Sequence, residues 1–221
     1  MNFWNRLGLG FPRLIALSVA HPINHPMLLS MKRLEILDFK QDPHTHLDLK
    51  LSLPSLRHLS VRGRYNSALN HFLIDHGHQL ESCLFEEPPW SRPGLEETMF
   101  WSTVPNLRLF GMLADTTSPF EGPPRNYPLG HVRITGRLPD ARRTHQFVEH
   151  FSRLCHVYIG TSKLQSLDEA KLVRSLKELG LAVTEIAESE LIPVNPISRE
   201  KVTFFTALVL GVAYVHLFIA K

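Results

Sequence analysis

The phrase L-x-x-L-x-Φ, where Φ is apolar, returns seven times between Leu14 and Ile159 of this chain. A motif repeated at a bounded interval restricts the fold more than any other feature a sequence can carry. It reads Leu14-Leu17-Val19, Leu34-Leu37-Phe39, Leu56-Leu59-Val61 and Leu80-Cys83-Phe85, then Leu107-Phe110-Met112, Leu129-Val132-Ile134 and Leu154-Val157-Ile159. The first positions lie 20, 22, 24, 27, 22 and 25 residues apart. A proline followed by a polar residue introduces three of them: Pro12-Arg13-Leu14, Pro54-Ser55-Leu56 and Pro105-Asn106-Leu107. The last two apolar residues of each phrase sit two apart, so they point to one side of a short strand. The first Leu turns inward as the chain enters that strand. One such unit has nothing to bury its apolar side against; stacked neighbours make a continuous core.

The spacing falls within the roughly 20–29-residue period of leucine-rich repeats. The expected fold is therefore α/β: an irregular leucine-rich-repeat solenoid with a parallel concave sheet over residues 1–187. Some returns between strands read as helices. Ser67–His76 places Ala68, Leu69, Phe72 and Leu73 on one face, with Gly77 as a stop. Thr144–Arg153 places Phe147, Val148 and Phe151 similarly, and Leu95–Trp101 is a weaker case. Leu47, Leu49, Leu51 and Leu53 alternate, which favours an extended return instead. Ser166 with Glu169 forms a capping-box signature. The helix it opens carries Leu172, Val173, Leu176 and Leu179 on one face and ends at Gly180, before a strand over 181–186.

Residues 188–201, with Pro193 and Pro196, read as a linker, and residues 202–220 as a hydrophobic transmembrane helix. That last stretch, VTFFTALVLGVAYVHLFIA, has no formally charged residue. As a helix it spans about 28 Å, close to the hydrocarbon thickness of a bilayer. His216 is its one strongly polar residue, placed near the headgroups. The expectation is a tail anchor holding the repeats at the cytoplasmic face of a membrane, or a cytoplasmic protein if the tail is no anchor. At the other end LIALSVA is too short for the apolar region of a signal peptide, and the first repeat accounts for the same residues.

Lys plus Arg number 24 against 21 Asp plus Glu, a net charge of +3 without a dense basic run, so nucleic acid is not the expected partner. Two cysteines, Cys83 and Cys155, exclude a disulfide framework and a multi-cysteine zinc module.

Taken in order, the phrases around Leu56-Leu59-Val61, SALNHFLIDHGHQLESCLF, VPNLRLFGM, YPLGHVRITG and FSRLCHVYI, followed by a helix and ELGLAVTE, resemble the repeat region of fungal F-box/leucine-rich-repeat proteins. The resemblance covers about residues 11–187 and is densest in FLIDHGHQLE, Phe72–Glu81. It implies a scaffold that selects proteins for a cullin-type ubiquitin ligase. The sequence departs from that pattern in carrying no F-box ahead of Leu14 and in its hydrophobic tail. The implied role is then a substrate receptor or a truncated remnant of one.

Asp42-Pro-His44-Thr-His46 follows an apolar strand, and two imidazoles two apart on a strand end can face one cation. This supports a metal-dependent hydrolase built on His44 and His46 as the competing reading. Such a site needs further ligands from later strand ends of a larger barrel, and the repeats already use the chain. His71, His76 and His78 share no helix face well. Cys83 occupies a core position of its phrase, and Cys155 and His156, as neighbours on a strand, point opposite ways. Phosphate-binding and nucleophile-elbow motifs are absent from the sequence. The expectation is a non-catalytic chain with no cofactor. Its protein partner is expected on the concave face, at Asp38, Lys40, His58, Arg62, Glu86, His131, Arg133, His156 and Tyr158. Concave sheet faces of solenoids are their usual docking surface, and the histidines on it make pH-sensitive docking an expectation.

Overall fold

A computed structural model describes residues 14–22, 27–41, 49–63, 67–87, 89–91, 96–113, 122–124, 126–135, 151, 153–161, 167–187, 202–209 and 213–220. In chain order the elements begin with β1 (Leu14–Pro22), β2 (Met27–Ser30), β3 (Ile36–Gln41), β4 (Leu49–Ser52) and β5 (His58–Gly63). Helix α1 (Ser67–His76) and a 3-10 turn (Gly77–Gln79) lead to β6 (Ser82–Phe85). A second 3-10 turn (Pro89–Ser91) and α2 (Glu97–Thr103) precede β7 (Leu109–Leu113), β8 (His131–Thr135) and β9 (His156–Thr161). Last come α3 (Leu167–Glu178), β10 (Ala182–Ala187), β11 (Val202–Val209) and β12 (Ala213–Ala220). The fold is α/β, with most strands parallel. It divides into two compact units, one made of Met1–Leu80 with Ile192–Lys221 and the other of Glu81–Leu191.

In the second unit β6, β7, β8, β9 and β10 stand side by side in chain order, all parallel. Their register aligns the phrase positions. Cys83, Phe110, Val132 and Val157 face one another across the strands, and so do Phe85, Met112, Ile134 and Ile159. All but Met112 are buried. The alignment extends below each strand through the residue that precedes it. Arg108 N–H donates to Glu81 O (2.9 Å), Gly130 N–H to Arg108 O (3.1 Å), Cys155 N–H to Gly130 O (3.0 Å) and Ala182 N–H to Cys155 O (3.0 Å).

The first unit repeats this plan in β1, β3 and β5, which are parallel neighbours. Leu17, Leu37 and Leu59 share one row and each is 1% exposed. The returns contribute a separate two-stranded parallel sheet, β2 with β4, and β4 falls in the stretch whose alternating leucines predict extension. Helix α1 has the predicted bounds. It buries Leu69, Phe72 and Leu73 because positions i, i+3 and i+4 share a face, while Ile74 points out at 60% exposure.

In five of the phrases a turn opening three residues before the first Leu fixes where the strand starts. Leu34 N–H bonds to Met31 O, Leu56 to Leu53, Leu80 to Gly77, Leu107 to Val104 and Leu154 to Phe151. Proline occupies the second position of this turn in Leu53–Leu56 and Val104–Leu107, where its fixed φ is already correct. The residue that opens each of these turns is buried. At Leu129 the turn lies two residues earlier, Tyr127 N–H bonding to Pro124 O, and Tyr127 joins Leu129 in the core.

Helix α3 ends as its sequence predicts. Gly180 has φ of 79°, its N–H bonds to Lys177 O, and Leu181 N–H reaches back to Leu176 O, a Schellman closure. A Cβ at Gly180 meets nothing within 4 Å, so only backbone strain opposes it. Gly180→Ala is expected to lower stability by about 1 kcal/mol in chemical denaturation, with unchanged far-UV circular dichroism.

The tail differs from the expected single helix. Residues 202–220 form the antiparallel pair β11 and β12, and β12 runs antiparallel along β1. The cause lies in composition: Val, Thr, Phe and Tyr favour a pleated strand over a helix. No helix among the described residues is long and apolar enough to cross a membrane, which leaves strand-built spans unaddressed. The tail keeps register with the sheet. Leu217 and Val215 lie opposite Leu17 and Val19, while His216 lies opposite Ser18. The stretches 144–150, 162–166 and 188–201, which hold most of one expected helix, the expected capping serine and the expected linker, lie outside the described residues.

Candidate functional site

Successive strand residues point to opposite faces, so the residues between the core rows share the other face of each sheet. In the first unit that face carries the row Ser18, Asp38 and Ser60. It is not a solvated row. Asp38 is 5% exposed, as is Ser18. The Asp38 carboxylate accepts the Ser18 hydroxyl at 2.6 Å and two bonds from Arg62, Nε at 3.2 Å and Nη2 at 3.0 Å. Arg62 retains 32% side-chain exposure, so the forked pair seals the carboxylate and leaves the guanidinium at the surface. Lys40, which pairs in register with Arg62, is exposed, and His58 is half-buried beside Ile36.

The second unit presents two rows. One runs Leu84, Gly111, Arg133, Tyr158 and Thr184. Gly111 leaves room for its neighbours: a Cβ there would press on Leu84 Cδ2, which would have to swing aside, and would lie 3.2 Å from Arg133 Cβ. Leu84 lies over the glycine and is 8% exposed, and Arg133 is 5% exposed. The adjoining row contains Leu109, His131 and His156. His156 and Tyr158 stack with centroids 4.3 Å apart and planes 17° from parallel. His131 joins them at 5.8 Å from His156 and 6.0 Å from Tyr158. All three rings are half-buried, and His156 Nε2 hydrogen-bonds Thr184 Oγ1 at 2.8 Å. Among the described residues His131 Nδ1 is buried and meets no hydrogen-bond partner. Glu86 is exposed just past β6.

Of the residues singled out from sequence, the structure therefore joins Asp38 to Arg62, and His131 to His156 and Tyr158. Asp38 and Arg133 are on the expected face but buried. Leu84 and Gly111 stand on the face where the alternation of their phrases puts them. Sequence reasoning missed Ser18, whose only signal is its place between the core positions of the first phrase.

Partial burial and the neighbouring His131 imidazole hold the His156 pKa below the ordinary histidine value of about 6.5. A depressed pKa means that the unfolded chain binds the proton more readily. The stability His156 contributes is thus present above about pH 6.5 and lost as pH falls through its depressed value. Urea midpoints measured downward from pH 7.5 are expected to fall less steeply in His156→Gln than in the wild type.

Cys83 is fully buried, and desolvation raises its thiol far above the ordinary range, so it remains a thiol. Cys155 is exposed and its Sγ–H donates to Gly130 O at 3.1 Å. Burial likewise raises the Tyr127 phenol, whose hydroxyl donates to Val104 O. No group of three or more His, Cys, Asp and Glu residues converges on a metal position among the described residues. His44 and His46 lie outside them.

No family model, curated protein or solved structure matches this chain.

Proposed function

We propose that the chain is a non-catalytic leucine-rich-repeat scaffold that docks a protein partner on the sheet face opposite its core. The observation that carries this reading is the ring stack of His131, His156 and Tyr158, held half-exposed on that face by the strand register. Tyr is among the residues most often responsible for interface energy, and a pre-ordered ring loses little freedom on binding. Arg62, fixed by Asp38, is a second ordered contact of the same kind in the other unit. The resemblance to F-box repeat proteins adds that the partner is a protein to be ubiquitinated. Recovery of a cullin adaptor with the scaffold tests that addition separately.

The experiment compares capture by immobilised full-length protein with capture by His156→Ala/Tyr158→Ala. Lys32→Ala, an exposed position outside the strands, serves as control. The double variant is expected to lose about tenfold or more in partner retention, as truncation of a hot spot does, and Lys32→Ala to lose none. Equal retention by all three proteins would overturn the proposal.

A further inference from the structure

We propose that the segment 202–220 exchanges between two mutually exclusive states, a β-hairpin docked along β1 and a helix inserted in a lipid bilayer. The docked state is specified by register. Thr206, His216, Ser18, Asp38 and Ser60 form one polar row across β11, β12, β1, β3 and β5. The rows on either side are apolar in all five strands. The tail's one strongly polar residue thus falls in line with the sheet's polar row. A one-residue slip would place it among core positions instead.

The inserted state is specified by composition. The same residues carry no charge over 19 positions, and as a helix they match the hydrocarbon thickness. The two states exclude each other for a backbone reason. A docked hairpin draws hydrogen bonds from β1, and β11 ends the order of strands with a neighbour on one side only. Hydrocarbon does not tolerate an open strand edge, so entry requires internal pairing of every N–H, as in a helix. The segment therefore leaves β1 before it inserts, and the edge of β1 is uncovered when it does. The partner is the bilayer itself, recognised by apolar length. This inference does not depend on the docking face.

Val19 and Val215 are paired across β1 and β12. Their Cα atoms are expected about 4.5–5.5 Å apart, within the range a disulfide spans. The test uses full-length Val19→Cys/Val215→Cys with Cys155→Ser, mixed with phosphatidylcholine vesicles containing phosphatidylserine. The reduced protein is expected to float with the vesicles and gain helical circular dichroism. The oxidised protein is expected to float at least about tenfold less. Failure of the reduced form to float, equal flotation of both forms, or failure of the cysteines to crosslink would each overturn the proposal. The unsubstituted chain supplies an independent measurement: vesicles are expected to speed hydrogen exchange at the alternate amides of Ala16–Val19 that face β12, and not at those that face β3. Unchanged protection in vesicle-bound protein also overturns it.

Discussion

Trp101→Ala is expected to destabilise the protein by about 4 kcal/mol, measured by urea denaturation followed by circular dichroism. Trp101 is 1% exposed at the centre of an aromatic cluster in the second unit. Its ring lies 4.9 Å from Phe100, 5.1 Å from Tyr127, 5.3 Å from Phe110, 5.6 Å from Trp90 and 6.3 Å from Phe151. These neighbours come from α2, β7 and three returns, so no single rotation closes the void. Trp101 also donates Nε1–H to Glu97 Oε1 at 3.1 Å, and the same oxygen accepts Gly122 N–H at 2.6 Å. Glu97 is 8% exposed, so a donor lost to its carboxylate is a bond lost in a nearly dry setting. Trp101→Phe separates the two effects. It keeps most of the volume, loses the donor, and is expected to cost about half as much. Domains are stable by only about 5–15 kcal/mol, so the alanine variant is expected to unfold at much lower urea.

The second large effect is expected at Asp38→Ala, about 2–3 kcal/mol by the same measurement. Breaking a fully buried ion pair costs about 3–5 kcal/mol, because the partner is left charged and dry. Arg62 is one-third exposed and recovers part of its hydration, which sets the lower figure. The Ser18 hydroxyl, at 5% exposure, also loses its acceptor. Asp38→Asn keeps an acceptor for one of the donors and is expected to cost less. Asp38→Leu with Arg62→Met removes both charges and is expected to recover most of the loss, since neither charge is then kept without its counter-charge.

The strands were legible because a period of two over an Leu-led phrase is a strong signal, and every described strand from β3 to β9 on the main rows begins where its phrase requires. Helix α1 was legible for the same reason at period 3.6. Three things were not. The buried turn-opening position is Met31, Leu53, Gly77, Val104 or Phe151, chemically too varied to register as a repeat. The face of Asp38 and Arg133 follows from alternation, but their burial depends on Ser18, Arg62, Leu84 and Gly111, which come from other strands. The tail is apolar at nearly every position, and an apolar run without a wet face has no period to choose helix over strand.

The turn that opens five of the phrases has a further consequence. Strand register is set within three residues of the first Leu by a local bond, such as Leu56 N–H to Leu53 O, and not by the length of chain that came before. A residue gained or lost in a return therefore cannot slide the following strand onto the wrong face. Each rung is indexed independently, which is how spacings from 20 to 27 coexist in one chain. Such an architecture tolerates insertions and deletions between strands while its surface rows stay aligned, leaving the returns as the part free to diverge.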